Sequence, residues 1–121
     1  MMNIINGKLK KVENNEFTEL LNPLLVDGEG IVATYKAIND GIVFTNRRII
    51  GLDFKGLTGK KIRYTSIPYS KLLFYYIETA GFADFDCELE IWLSLSESIK
   101  LNFASGADIG EVGKIIASYS K

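Results

Sequence analysis

The chain has 121 residues, of which 47% are hydrophobic and 24% are charged, and its formal net charge is −1. This length and composition predict one globular domain whose core is large enough to need no disulfide. A charge so close to zero excludes a general attraction to nucleic acid or to anionic membranes, since either would need a local basic patch. We therefore expect no nucleic-acid partner and at most peripheral contact with a membrane.

Residue types that are common in catalytic and metal-binding sites are scarce in this chain. Histidine is absent, and Cys87 is the single cysteine. A hydrolase triad or a zinc site normally needs His or several Cys, so we expect no enzymatic activity, no metal and no cofactor. One unpaired cysteine fits a reducing compartment. Residues 1–12 lack the apolar core of a signal peptide. No run in the sequence approaches the roughly 18 apolar residues of a membrane span. These features predict a cytoplasmic location.

The first part of the chain differs from the rest. Residues 1–29 are predicted to form a helical extension, and residues 30–121 the main domain, within one structural unit. The helix is indicated by apolar residues at i, i+3, i+4 and i+7, namely Phe17, Leu20, Leu21 and Leu24. Asn14 or Asn15 would cap it and Pro23 would limit it. We expect its leucines to pack on the main domain; a frayed arm is the alternative.

Seven short strands follow, separated by turn residues. Their predicted bounds are 31–38, 41–45, 47–54, 60–67, 71–78, 86–95 and 98–104. Asn39-Asp40-Gly41 is a hairpin signal, because these residues tolerate positive φ. Many short strands joined by tight turns are typical of an all-β barrel or sandwich.

A helix is predicted to close the chain. Its apolar stripe consists of Ile109, Val112, Ile116 and Tyr119. Asp108 or Ser105 is available as its cap. Gly110 and Gly113 lie inside it, at a cost of roughly 1 kcal/mol each relative to alanine. We expect these glycines to allow the helix to approach the mouth of the barrel closely; weak local selection is the alternative.

Three spaced segments resemble the bacterial pleckstrin-homology domain family. They are DGIVFTNRRII at 40–50, DFKGLTGKKIRYTSIPYSK at 53–71, and the pattern E-T-x-G-x-x-D-x-D-x-E-L-x-x-W at 78–92. The resemblance runs from about residue 30 to the end of the chain. It implies a two-sheet, partly open barrel of seven antiparallel strands, capped by the last helix, with a short N-terminal helix added. It also implies domains that tend to assemble into rings.

The segment 71–78 is apolar on both faces, which a half-buried antiparallel strand should not be. Its outward row is predicted to be Leu73, Tyr75 and Ile77, or Leu72, Phe74 and Tyr76 if the register is opposite. Trp92, on the otherwise polar face of 86–95, would lie beside that row. Such a patch is large for a monomer, so it predicts a contact between copies of the chain. The alternative is that the N-terminal helix covers it.

Charges suggest how such copies would meet. Lys61 and Arg63 are predicted on the outer face of one sheet, and Glu88 and Glu90, with Asp86, on the outer face of the other. A contact between unlike sheets would bring opposite charges together and repeat head to tail until it closes. The resulting hypothesis is a scaffold or adaptor that forms a closed homo-oligomer, with itself and possibly another protein as partners.

Two other functions stay open. The group Lys55, Lys60, Lys61 and Arg63, with its glycine-rich lead-in, would bind a phospholigand or an anionic lipid headgroup. Against this, the loop 38–41, where lipid-binding relatives of this architecture carry bases, offers an acid and no base. The third function is peptide binding by strand addition at an open sheet edge.

Overall fold

The computed structural model describes residues 3–56, 60–79 and 86–120, and these form eight strands and three short helical elements. One antiparallel sheet has the order β1-β2-β3-β4-β5, and a second has the order β6-β7-β8. The strands of the first sheet are Lys10–Val12 (β1), Ile31–Ala37 (β2), Asp40–Thr45 (β3), Arg48–Lys55 (β4) and Lys61–Pro68 (β5). The second sheet contains Phe74–Glu78 (β6), Cys87–Trp92 (β7) and Ser98–Phe103 (β8). The helical elements are Thr18–Leu21 (α1), a 3₁₀ turn at Tyr69–Lys71 and Ile109–Tyr119 (α2).

The two sheets form a barrel that is closed along one side. Leu9 donates its amide to the carbonyl of Asn102 at 2.9 Å, and Ala104 donates to the carbonyl of Leu9 at 2.9 Å. Residues just before β1 are thereby joined to β8. On the other side β5 and β6 are edge strands, and no ladder connects them within the described residues. The expected mainly β, partly open barrel is therefore confirmed, with β1 as an additional strand.

The main core lies between the two sheets. Tyr35 packs edge-to-face against Phe44 at 5.8 Å and against Phe103 at 5.2 Å, measured between ring centroids. The apolar stripe of α2, buried at Ile109, Val112, Ile115 and Ile116, closes one mouth of this core. Aromatic and aliphatic side chains of both sheets thus meet in one continuous interior.

The C-terminal helix begins and packs as expected. Asp108 caps it, because its Oδ1 accepts a hydrogen bond from the amide of Glu111 at 3.1 Å. A Cβ added at Gly113 would lie 2.7 Å from Cδ1 of Ile77 on β6. Gly113 therefore permits a close approach of helix to sheet, as the sequence suggests, and the neighbour is a side chain of the three-stranded sheet.

A second core covers the outer face of the five-stranded sheet. Phe17 and Leu21 from the N-terminal segment pack on Val43, Ile50 and Leu52. Because this segment covers one face and the main core covers the other, every residue of β3 is buried. The expected packing of the N-terminal leucines on the domain is confirmed for Leu21.

The N-terminal helix is shorter than predicted. It is the four-residue α1, Phe17 occupies its cap position, and no side chain makes a capping hydrogen bond there. Neither Asn14 nor Asn15 is the cap. Burial of Phe17 against the sheet fixes this segment, so the helix does not depend on a capping side chain for its position.

Candidate functional site

The outer face of the three-stranded sheet carries a group of large exposed apolar side chains. Leu73 is 53% exposed, Phe74 48% and Tyr76 41%, although all three belong to β6 or lead into it. Leu95, at the tip of the β7–β8 hairpin, is 87% exposed. Together with Trp92 of β7 these residues are called the aromatic surface below.

The pairing of β6 with β7 decides which residues point outward. Phe74 is opposite Trp92, and the two rings stack at 5.5 Å with planes only 9° apart. Tyr75 and Ile77 point the other way and pack on the main core. Neither predicted row is therefore wholly outward: Tyr75 and Ile77 of the first row and Leu72 of the second pack on the main core, whereas Leu73, Phe74 and Tyr76 are exposed. The core needs apolar side chains at Tyr75 and Ile77 to fill the space beneath α2.

Glu90 shares the outer face of β7 with Trp92, as predicted, but its side chain is not free in solvent. It is buried, and it accepts hydrogen bonds from the hydroxyls of Tyr76 and Ser98, the latter at 2.6 Å. The hydrogen bond to Glu90 raises the pKa of Tyr76 to about 12. The bonds from Ser98 and Tyr76 lower the pKa of Glu90. Glu88 is also compensated, since it pairs with Lys100 at 3.4 Å.

Lys61 and Arg63 lie on the inner face of their sheet, so their predicted outer placement is wrong. In the β4–β5 pairing they are opposite Lys55 and Asp53, on the same side as Ile67 of the main core. The outer face of β5 is the apolar one, because the N-terminal segment covers it. Both cations are nevertheless exposed, since the core does not extend to their end of the strand. The predicted meeting of opposite charges between unlike outer faces does not follow from this arrangement.

The basic group proposed for anions is only partly available. Lys55 pairs with Asp53 at 2.9 Å. Lys60, Lys61 and Arg63 make no ion pair within the described residues, and residues 57–59 of their loop lie outside those residues. The loop at 38–41 carries Asp40, which accepts from the amides of Asn6 at 3.2 Å and Phe54 at 3.0 Å. That carboxylate therefore has a structural role.

An ion pair that the sequence interpretation missed fixes the loop between α1 and β2. Arg48 donates two hydrogen bonds of 2.9 Å to the carboxylate of Glu29. Thr45 donates a third at 2.7 Å. Burial raises the pKa of Glu29, but the bonds from Arg48, Thr45 and the Val26 amide outweigh it and lower that pKa to about 2. No spacing rule links positions 29 and 48, so this contact could not be predicted from the residue pattern.

Two kinds of site are not seen in the described part of the chain. None of its helices is long and apolar enough to cross a membrane. Within the same residues, no group of three or more His, Cys, Asp or Glu side chains is placed to hold a metal ion.

Comparison with known proteins agrees with this fold and shows that the family similarity covers nearly the whole chain. The family model of the bacterial PH domain matches residues 1–120. The chain is 39% identical over 114 residues to the uncharacterised Bacillus subtilis protein YjqA, covering 93% of this chain and 91% of that one. It is 37% identical over 99 residues to the uncharacterised Bacillus subtilis protein YozO, covering 82% and 85%.

A solved structure shares the architecture closely. A protein with a pleckstrin-homology domain from Shewanella loihica superposes with a TM-score of 0.84 at 36% identity, over 96% of this chain and 100% of that one. Two antiparallel sheets, a seam left open and a C-terminal helix over one mouth define a pleckstrin-homology fold. The chain belongs to the bacterial PH domain family. The family resemblance of the sequence is confirmed, and it includes the N-terminal residues.

Proposed function

We propose that this PH domain is a non-enzymatic assembly module that forms a closed homo-oligomer through its aromatic surface and serves as a scaffold or adaptor. The supporting observation is the exposure of Leu73, Phe74 and Tyr76 beside Trp92. Exposed apolar side chains that adjoin one another on a rigid sheet are typical of protein–protein contacts.

The two sheets differ in how their outer faces are covered. On the five-stranded sheet, the N-terminal segment places Phe17 and Leu21 over the apolar residues. The helix α1 is part of that cover on the five-stranded sheet, which argues against the alternative in which it covers Trp92. Within the described residues the aromatic surface has no cover of its own, and a second copy of the chain is the occupant we propose.

The polar groups around the aromatic surface are already satisfied. Glu90 is bonded by Tyr76 and Ser98, and Glu88 is paired with Lys100. Covering these two carboxylates therefore removes no unpaired charge from water, which would otherwise oppose association.

Light scattering coupled to size exclusion tests this proposal. We expect wild-type protein at micromolar concentration to elute as an oligomer. Leu73→Ser should weaken assembly about tenfold, since it removes a large apolar side chain from the contact. Val26→Ser is the matched control, because Val26 and Leu73 are both 53% exposed but Val26 lies in the loop after α1. The control should assemble like wild type.

Trp92→Ala separates assembly from folding. We expect it to reduce assembly by more than it lowers the free energy of unfolding of the monomer, measured by urea denaturation below the assembly concentration. A monomeric wild type at micromolar concentration, or equal assembly by wild type, Leu73→Ser and Trp92→Ala, would overturn the proposal.

A further inference from the structure

The second edge of β5 is open and accessible. Strand β5 pairs with β4 on one side only, and no described strand pairs with its other side. Every residue from Lys61 to Ser66 is at least partly exposed, whereas every residue of β3 in the same sheet is buried. Such an edge presents unpaired amide and carbonyl groups.

The hydrogen-bond pattern shows which of these groups face the open side. Tyr69 donates its amide to the carbonyl of Arg47 at 3.3 Å, which makes them a hydrogen-bonded pair at the end of the β4–β5 ladder. Bonded and non-bonded pairs alternate along an antiparallel ladder. Counting back through the register, the backbone groups of Ile62, Tyr64 and Ser66 point away from β4. Pro68 falls in the same set, where its missing N–H costs no ladder bond.

The side chains along this edge divide by chemistry between the two faces. Lys61 and Arg63 lie on the inner face and are exposed, and neither has a carboxylate partner in the described residues. Asp53, which is opposite Arg63, pairs with Lys55 instead. Ile62 and Tyr64 stand on the outer face, beside the second core. A strand laid along β5 would place its alternate side chains next to these two rows.

We propose that the open edge of β5 captures an extended peptide in which acidic and apolar residues alternate, by adding it as a further strand of the five-stranded sheet. Acidic side chains on one face of the peptide lie next to Lys61 and Arg63, and apolar ones on the other face lie next to Ile62 and Tyr64. Backbone hydrogen bonds to Ile62, Tyr64 and Ser66 contribute affinity for any extended peptide. The contacts between side chains determine which peptide sequence binds best. The residues of this edge differ from those of the aromatic surface, so variants at the two places test this proposal and self-association separately.

A synthetic peptide of about nine residues, alternating Glu and Val and carrying a fluorophore, provides the probe. We expect saturable binding by fluorescence anisotropy that weakens as salt is added. A peptide of the same composition with its Glu and Val in separate blocks should bind about tenfold more weakly, because it cannot match both rows. N-methylation of alternate peptide amides should abolish binding when it modifies the set facing β5 and spare it when it modifies the other set.

Protein variants test the charges independently of the peptide. The double variant Lys61→Glu/Arg63→Glu should lose about tenfold or more in affinity, since attraction becomes repulsion at two positions. Lys114→Glu, an exposed lysine of α2, is the matched control and should bind as wild type does. Circular dichroism confirms that both variants fold.

Three results would overturn the proposal. One is the absence of saturable binding by the alternating peptide at millimolar concentration. Another is equal binding of the alternating and block peptides, or of the two N-methylated peptides. The third is binding of phosphatidylserine vesicles with the same dependence on Lys61 and Arg63 while the peptide fails to bind, which would assign these cations to a lipid surface.

Discussion

Gly41 shows how a single missing methyl group fixes the N-terminal segment. A Cβ at this position would lie 2.2 Å and 2.5 Å from two ring carbons of Phe17. We expect Gly41→Ala to lower the free energy of unfolding by about 2 to 3 kcal/mol, because the ring cannot stay in place and the second core opens. Urea denaturation followed by circular dichroism measures the change.

The matched control for Gly41 is Gly30. No atom lies within 4 Å of the position that a Cβ on Gly30 would occupy. Gly30→Ala should therefore leave the free energy of unfolding unchanged or raise it slightly, through the lower entropy of the unfolded chain. Equal stability of Gly41→Ala and wild type would show that Phe17 does not depend on this space.

The stabilising contribution of Glu29, in the loop between α1 and β2, depends on pH. The pKa of this residue falls from 4.5 to about 2 on folding, so the unfolded chain takes up a proton first as the pH is lowered. The stabilisation is complete above about pH 4.5 and is lost as the pH falls toward 2, by up to about 3 kcal/mol. The measurement is the free energy of unfolding across this range.

Glu29→Gln isolates that contribution from other acidic groups. The variant has no proton to take up at this position, so its stability should depend less steeply on pH than that of wild type. It should also be less stable near neutral pH by about 2 to 3 kcal/mol, because Arg48 loses its charged partner. Parallel pH profiles for the two proteins would contradict this role of Glu29.

The elements that the sequence predicts best are those whose own pattern decides their structure. The strands at β2, β3 and β4 and the helix α2 agree with their predicted bounds to within a few residues. Strand β1 was not predicted, since Lys10–Val12 is short and mostly polar, and its structure comes from pairing with β2. Likewise, residues 71–73 of the predicted fifth strand form the end of a 3₁₀ turn and the lead into β6.

The candidate site was harder to predict, because period-2 alternation identifies two faces without saying which is inside. In β5 the predicted outer placement of Lys61 and Arg63 implies that the apolar pair Ile62 and Tyr64 lies on the inner face. It lies outside, since the N-terminal segment builds a second core there. In β6 both faces are apolar, so only the packing of Ile77 beneath α2 fixes the register. Contacts between residues distant in sequence decide which face of each strand points inward.

At the scale of the whole molecule, Trp92 provides a probe of the proposed assembly. It is the single tryptophan of the chain, and it stacks on Phe74 within the aromatic surface. We expect its emission maximum to move to shorter wavelength as protein concentration rises through the assembly range, because a second copy excludes water from the indole. Leu73→Ser should require about tenfold more protein for the same shift. An emission maximum independent of concentration would contradict burial of Trp92 between copies.

The packing of Phe17 and Leu21 over the five-stranded sheet covers one apolar face, while the aromatic surface on the other sheet stays exposed. A variant that lacks residues 1–21 would lose this cover and would expose apolar side chains on the outer faces of both sheets. Particles with one adhesive side can close into finite clusters, whereas particles with two tend to grow without limit. The N-terminal segment that carries Phe17 and Leu21 would thus limit the growth of the proposed assembly, in addition to its part in the fold.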